Sequence, residues 1–114
     1  ALRLLPDAKT IPMLLAHALL ESPDPNAQTL NEAISLLKKV IKHSPGNIFA
    51  LHLITVAYGK NNQMDFMALY LAEEAFLLNH IQMAKAQAEK ASKSADTSVS
   101  TRAKDILSQI EPKF

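Results

Sequence analysis

The sequence predicts an all-α protein of about six helices, packed as antiparallel hairpins. Three observations lead to this prediction. Apolar residues recur at helical spacing in successive segments, no segment alternates with the period of two that marks a strand, and only two glycines occur among 114 residues. Because glycine loses more conformational freedom than any other residue in a helix, its scarcity favours helices.

Composition limits the classes of function. A chain of 114 residues, 48% of them hydrophobic, suits a single domain with a substantial core. The charges nearly cancel, with 12 Lys and Arg against 11 Asp and Glu, whereas nucleic-acid binders carry a basic surplus. No apolar run approaches the roughly 20 residues that span a bilayer. We therefore expect one domain over residues 1–114, with no nucleic-acid partner and no membrane insertion.

Prolines and turn residues delimit the first three predicted helices. Pro12 fits the first turn of the first helix, where a missing N–H costs little, and residues 22–26 end that helix. Thr29 and Glu32 have the spacing of a capping box in the second helix. The three helices are predicted at residues 10–21, from 25 or 30 to 42, and from the cap Asn47 to 59. The apolar stripe of the first helix is predicted to contain Ile11, Leu14, Leu15, Ala18 and Leu19.

The last three helices are predicted at residues 64–78, 81–93 and 98–110. Asn62 and Asn79 stand three residues before Asp65 and Gln82, the spacing of an N-terminal cap. Helix 64–78 is apolar on most of its circumference, so it should be covered on more than one side. Helix 81–93 carries a stripe of alanines that lets neighbouring backbones approach closely. This alanine stripe comprises Ala84, Ala88 and Ala91.

An internal repeat refines the fold class. Pro6 and Pro45 each follow a helix end, and they fit the terminal proline of the tetratricopeptide (TPR) repeat of about 34 residues. In that frame Ala16 and Thr55 occupy the same small-residue position. A further copy of the repeat pattern begins at Asp65. Helix 64–78 is therefore predicted to be the second helix of one hairpin and the first helix of the next. The sequence therefore predicts TPR-like hairpins stacked in a right-handed α-solenoid, with residues 1–6 as the end of a truncated repeat in a longer chain.

Four segments carry a narrower resemblance, namely ALRLLP at 1–6, LITVAYG at 53–59, LYLAEEA at 69–75 and RAKDIL at 102–107. They resemble the C-terminal TPR region of bacterial periplasmic zinc metallopeptidases of the HExxH type, relatives of the β-barrel-assembly-enhancing protease. The resemblance spans nearly the whole chain. It implies the non-catalytic half of an exported hydrolase, a zinc ion in a separate peptidase domain, and a periplasmic location. It also implies partners such as that peptidase domain, unfolded substrates and outer-membrane assembly proteins.

The chain itself shows no catalytic motif. A zinc peptidase needs two histidines one helical turn apart, and none of the four histidines has a second one at that spacing. Glu73 and Glu74 are adjacent on a helix and point about 100° apart, so they form no catalytic dyad and are predicted to be solvated or at a hairpin edge. No cysteine, nucleophile elbow or phosphate-binding loop occurs. We expect no catalytic residue, metal ligand or cofactor in this chain.

We therefore expect the function of this chain to be the binding of a partner protein. Repeat stacks curve into a concave face lined by the first helix of each hairpin. Resemblance to TPR proteins places ten residues in such a groove, although core packing is the alternative for each apolar one and is favoured at least as much for Phe66 and Leu69. The predicted groove residues are Met13, His17, Leu20, Phe49, His52, Val56, Lys60, Phe66, Leu69 and Glu73. Their mixed character suits an extended apolar segment or a docking helix of a partner protein.

Two alternatives remain open on the sequence. The chain is also compatible with a stand-alone TPR adaptor or scaffold that has no protease attached. It also fits a helical oligomerisation domain, in which the apolar fourth helix closes a homodimer.

Overall fold

The computed structural model describes residues 10–21 and 26–110, and within these it leaves out the side chains of residues 10–13. The described part contains six α-helices and no strand. The helices are α1 (Thr10–Leu20), α2 (Ala27–His43), α3 (Ile48–Lys60), α4 (Met64–Leu77), α5 (Ile81–Ser92) and α6 (Thr97–Ile110). The all-α prediction is confirmed, and each helix end lies within a few residues of its predicted position. The predicted repeat end at residues 1–6 lies outside the described residues.

The starts of α2, α3 and α6 are capped by asparagine or aspartate side chains. Asn47 caps α3 as predicted, because its Oδ1 accepts the Ala50 N–H at 3.1 Å. The capping box predicted at Thr29 and Glu32 is wrong, since Asn26 is the cap of α2 and its Oδ1 accepts the Thr29 N–H at 2.8 Å. Thr29 therefore lies inside the first turn of α2 and not at a capping box. The carboxylate of Asp96 caps α6 in the same way, by accepting N–H bonds from residues 98 and 99.

Asn62 and Asn79 end helices, although the sequence predicted that they begin them. Their φ angles are 60° and 63°, in the left-handed region that asparagine tolerates better than most residues. After α3 the Gln63 N–H bonds to the Tyr58 carbonyl at 2.9 Å, and after α4 the His80 N–H bonds to the Ala75 carbonyl at 2.8 Å. This is the Schellman arrangement, which satisfies the last carbonyls of a helix. The two turns are therefore short and share one geometry.

Each helix packs against the next, and α1 with α3 and α4 with α6 form two further contacts. Two apolar clusters result. The first is built by α1, α2 and α3 together with Tyr70 of α4, and the second by α4, α5 and α6. Phe66 packs against both clusters. The prediction that α4 is covered on more than one side is confirmed.

The two clusters differ in the size of their side chains. The first contains mostly large aliphatic residues and two tyrosines. The second is dominated by alanines. The residues of the predicted alanine stripe on α5, which we call the alanine seam, are fully buried. Small side chains let α5 approach its neighbours closely. The buried members of the second cluster are Ala68, Leu69, Ala72, Ala88, Ala91, Val99, Ala103 and Ile106.

The apolar stripe predicted for α1 is wrong in most of its residues. Leu14, Leu15 and Ala18 are exposed, while Ala16 and Leu20 are buried. The reason is that α1 packs on α2 and α3 through the side that carries Ala16 and Leu20, which leaves Leu14, Leu15 and Ala18 uncovered. A sequence stripe shows that a helix has an apolar side, but it does not show which side a neighbour covers. The described part of the chain contains no helix that is both long and apolar enough to cross a membrane.

Candidate functional site

A groove of about 640 Å³ lies between α1 and α3. We call it the α1–α3 groove. Its α3 side is formed by residues that recur every three or four positions, so they share one face of the helix. The lining residues are His17, Leu20, Glu21, Phe49, His52, Leu53, Val56 and Lys60.

The α1 wall of this groove is fixed by a pair of side-chain contacts. His17 Nε2 lies 2.7 Å from Glu21 Oε1, one helical turn further along. The His17 ring meets the Phe49 ring edge-on, with centroids 5.7 Å apart and an angle of 72° between planes. Edge-to-face contact of this kind is a favourable arrangement for aromatic rings. The histidine thus holds Phe49 at the mouth of the groove, where 43% of Phe49 remains exposed.

Lys60 closes one end of the groove. Its Nζ donates a hydrogen bond to the Leu20 carbonyl, at 3.2 Å, across 40 residues of sequence. Leu20 is the last residue of α1, where carbonyls have no partner within the helix and a cation is favourable. The lysine therefore ties the end of α3 to the end of α1, besides presenting a positive charge to the groove.

A partly buried carboxylate lies behind His52. His52 Nδ1 is 3.7 Å from Glu74 Oε2, and only 15% of the Glu74 side chain is exposed. Glu73, the neighbouring residue, points to α6 and pairs with Arg102. Both glutamates are half-buried because α3 and α6 partly cover them, so of the two predicted alternatives, solvated or at a hairpin edge, full solvation is wrong. The expectation that they do not form a dyad agrees with their facing different helices.

The structure divides the predicted groove residues between two surfaces. Six of the ten line the α1–α3 groove, namely His17, Leu20, Phe49, His52, Val56 and Lys60. The side chain of Met13 lies outside the described residues. The three residues of α4 lie elsewhere: Leu69 is buried in the second cluster, Phe66 packs on Tyr58, and Glu73 faces α6. They are separated from the groove because α4 turns this face toward α2 and α6, not toward α1.

A stack of three aromatic rings, which the sequence did not predict, joins the two clusters. The Tyr58 ring is stacked between Phe66, at 4.9 Å and 19°, and Tyr70, at 5.5 Å and 13°. Lys38 Nζ lies 6.0 Å from the Phe66 centroid, and Arg102 Cζ lies 5.3 Å from the Tyr70 centroid. The one-turn spacing of Phe66 and Tyr70 was the available sequence signal. The cations over Phe66 and Tyr70 extend this stack of rings, so that its contacts connect α2, α3, α4 and α6.

The Tyr58 hydroxyl is buried and has no hydrogen-bond partner within the described residues. Burial raises the pKa of Tyr58, and the neighbouring Tyr70 raises it further. The phenol therefore stays neutral at any physiological pH. Its contribution to the fold is the packing of its ring.

A second depression runs along α4 between α2 and α6, and we call it the α4 trough. It consists of a hollow of about 440 Å³ that adjoins one of about 210 Å³, and the two share Pro45 and Arg102. The Arg102 guanidinium donates to Glu73 and to the Tyr70 hydroxyl, the latter at 3.3 Å. Burial raises the pKa of Glu73, and the charge of Arg102 opposes that rise. The trough shares no lining residue with the α1–α3 groove.

No site for metal chemistry is found within residues 10–21 and 26–110, where no group of three His, Asp or Glu side chains could hold an ion. No family model, curated protein or solved structure matches this chain. The class of protein is thus given by its architecture alone, as a bundle of six described helices with two separate surface grooves.

Proposed function

We propose that this chain is a protein–protein interaction module that holds an extended apolar segment or a docking helix of a partner in the α1–α3 groove. The observation that supports the proposal most is the half-exposed ring of Phe49, braced by His17 at the edge of a sizeable groove. Large aromatic side chains in water-accessible hollows are the residues on which protein interfaces most often depend.

The chemistry of the lining favours a peptide over a small charged ligand. Leu53 and Val56 extend the apolar strip that begins at Phe49, and imidazoles and an ammonium group stand around it. Lys60 already donates to a backbone carbonyl, so its donors are partly committed. An apolar strip with a polar rim matches the usual anatomy of a binding interface.

We include the arrangement of the helices in this proposal, namely TPR-like hairpins stacked in a right-handed α-solenoid. Its support is the repeat frame around Pro6 and Pro45 and the contact of α1 with α3, the first helices of two successive hairpins. We further propose that the module is the non-catalytic domain of an exported, periplasmic zinc metallopeptidase, which docks substrates or envelope-assembly proteins. The assignment to a metallopeptidase is supported by the resemblance of the four sequence segments to the TPR region of such enzymes. The zinc ion and the catalytic residues would belong to the peptidase domain.

Sequencing the gene upstream of the Ala1 codon tests whether the parent protein is a metallopeptidase. An HExxH motif on a predicted helix, behind a signal peptide, would support the metallopeptidase. Further TPR units without that motif would contradict it and leave a scaffold. The groove itself is independent of this result, because its residues lie within the described chain.

Replacing Phe49 with alanine should weaken partner binding at least about tenfold, since truncation of an aromatic residue on which an interface depends removes more than about 1.4 kcal/mol of binding free energy. Peptides are first selected from a displayed random library on the unaltered protein, and their affinities for both proteins are measured by fluorescence anisotropy. Met64→Ala is the matched control, because Met64 is an apolar residue with 50% exposure that lines none of the three hollows. Equal affinity of the selected peptides for F49A would contradict the proposal.

A second candidate function is oligomerisation, which one observation favours. Four large apolar residues around the α4–α5 turn are exposed, and contiguous patches of this kind often mark association sites. They are Leu77, Leu78, Ile81 and Met83. If this patch closes a homodimer, the mass measured by light scattering should rise with concentration, and Leu78→Glu should return it to that of a monomer. A monomer mass at all concentrations would exclude this candidate.

A further inference from the structure

The α4 trough has the dimensions of a peptide-binding site. Its floor runs along α4 from Phe66 to Leu77, about three helical turns or about 16 Å. An extended peptide rises about 3.3 Å per residue, so the floor accommodates about five residues. α2 and, beyond its end, Pro45 form one wall, and α6 forms the other. The charged residues of these walls are Lys38, Lys42, Arg102 and Asp105.

One end of the trough is basic. Lys38 and Lys42 stand one turn apart on α2 and are both exposed. Arg102 faces them from α6, with 47% of its side chain exposed. A guanidinium has five N–H donors, and the described contacts of Arg102 to Glu73 and Tyr70 engage two of its nitrogens. The basic end therefore offers ammonium groups and part of a guanidinium to one ligand.

The carboxylates near the trough compensate this end only in part. Glu73 pairs with Arg102. Hydrogen bonds from Ser98 hold the pKa of Asp96 below its usual range and the nearby charge of Lys38 lowers it further, so Asp96 opposes part of the Lys38 charge. Asp105 lies at the opposite end, in the smaller hollow. That hollow is also lined by Phe76, Leu77 and Ile106, which are apolar. The trough thus changes along its length from a basic and aromatic end to an end where apolar side chains lie beside Asp105 and Gln109.

We propose that the α4 trough is a second binding surface, which takes an extended segment of a partner protein with acidic residues at one end and a large apolar side chain at the other. The acidic residues meet Lys38, Lys42 and Arg102, and the apolar side chain enters the hollow beside Phe76 and Ile106. This surface does not depend on the α1–α3 groove. A single partner chain, or two different ones, can therefore occupy the two surfaces at once.

The test uses fluorescein-labelled peptides with glutamates at one end and leucine or phenylalanine about five residues away, titrated into the full chain at low salt. We expect saturable binding that weakens as salt is added, since exposed charge pairs are screened. Lys38→Glu with Lys42→Glu should weaken it more than about tenfold, the loss expected when like charges replace opposite ones. Lys42→Glu alone should give an intermediate loss, and it leaves the Lys38 contact with Phe66 in place.

Two control variants distinguish binding in the α4 trough from a general effect of net charge and from binding in the α1–α3 groove. Lys39→Glu with Lys90→Glu changes the net charge equally at exposed positions that line none of the hollows, and it should leave the affinity unchanged. Phe49→Ala should also have no effect, so failure at one surface is distinguishable from failure at the other. The proposal is overturned if both double variants weaken binding equally, if charge-reversed lysine peptides bind as well, or if a single-stranded oligonucleotide binds more tightly than the acidic peptides.

Discussion

Replacing Tyr58 with alanine should lower the free energy of unfolding by about 3–5 kcal/mol, the range for truncation of a buried aromatic side chain. Tyr58 is among the largest fully buried side chains, and its ring stacks on both Phe66 and Tyr70. Its loss leaves a cavity at the junction of the two clusters. Urea denaturation followed by circular dichroism measures the change.

Tyr58→Phe is the matched variant, because it keeps the ring and removes only the hydroxyl. That hydroxyl has no hydrogen-bond partner within the described residues, so its removal should change stability by less than about 1 kcal/mol, toward greater stability. A loss with phenylalanine as large as the loss with alanine would show that the hydroxyl has a partner. It would then contradict the assignment of the stabilisation to ring packing.

Replacing Ala88 with leucine should destabilise the fold by about 1–3 kcal/mol through overpacking. Ala88 is fully buried on α5, in the cluster where alanines let the helices approach closely. Extra methyl groups must push α5 away from its neighbours or adopt strained rotamers. The melting midpoint should fall accordingly, because one kcal/mol moves the midpoint by several degrees in a domain of this size.

Ala86→Leu controls for the chemistry of the substitution. Ala86 lies on the same helix but is exposed, and leucine and alanine have similar helix propensities. Its melting midpoint should change little, as for most surface substitutions. If Ala88→Leu also left the midpoint unchanged, the alanine seam could not be a close contact between helices.

The sequence predicted part of the candidate groove. His17, Phe49, His52, Val56 and Lys60 were expected together because a repeat frame assigns equivalent helix positions to one face, and they do line one groove. The residues of α4 were assigned to the same surface wrongly. The frame describes how a helix is placed within its own hairpin, and α4 is shared between two sets of neighbours.

The polar partners were not accessible from sequence. Arg102 pairs with Glu73 across 29 residues, and Lys60 bonds to the Leu20 carbonyl across 40. No local spacing rule reaches that far. The α4 trough was missed for the same reason, since its walls come from α2 and α6 and its floor from α4.

The sequence by itself determined the all-α class, the approximate positions of the helices and the alanine seam of α5. These follow from local physics, namely helical spacing of apolar residues, the prolines and asparagines at helix ends, and the small size of Ala84, Ala88 and Ala91. Only the tertiary structure decided which side of α1 is covered and that Asn62 and Asn79 end helices instead of beginning them. An asparagine suits both a cap and a left-handed turn, and an apolar stripe suits any neighbour, so these choices depend on how the helices pack against one another.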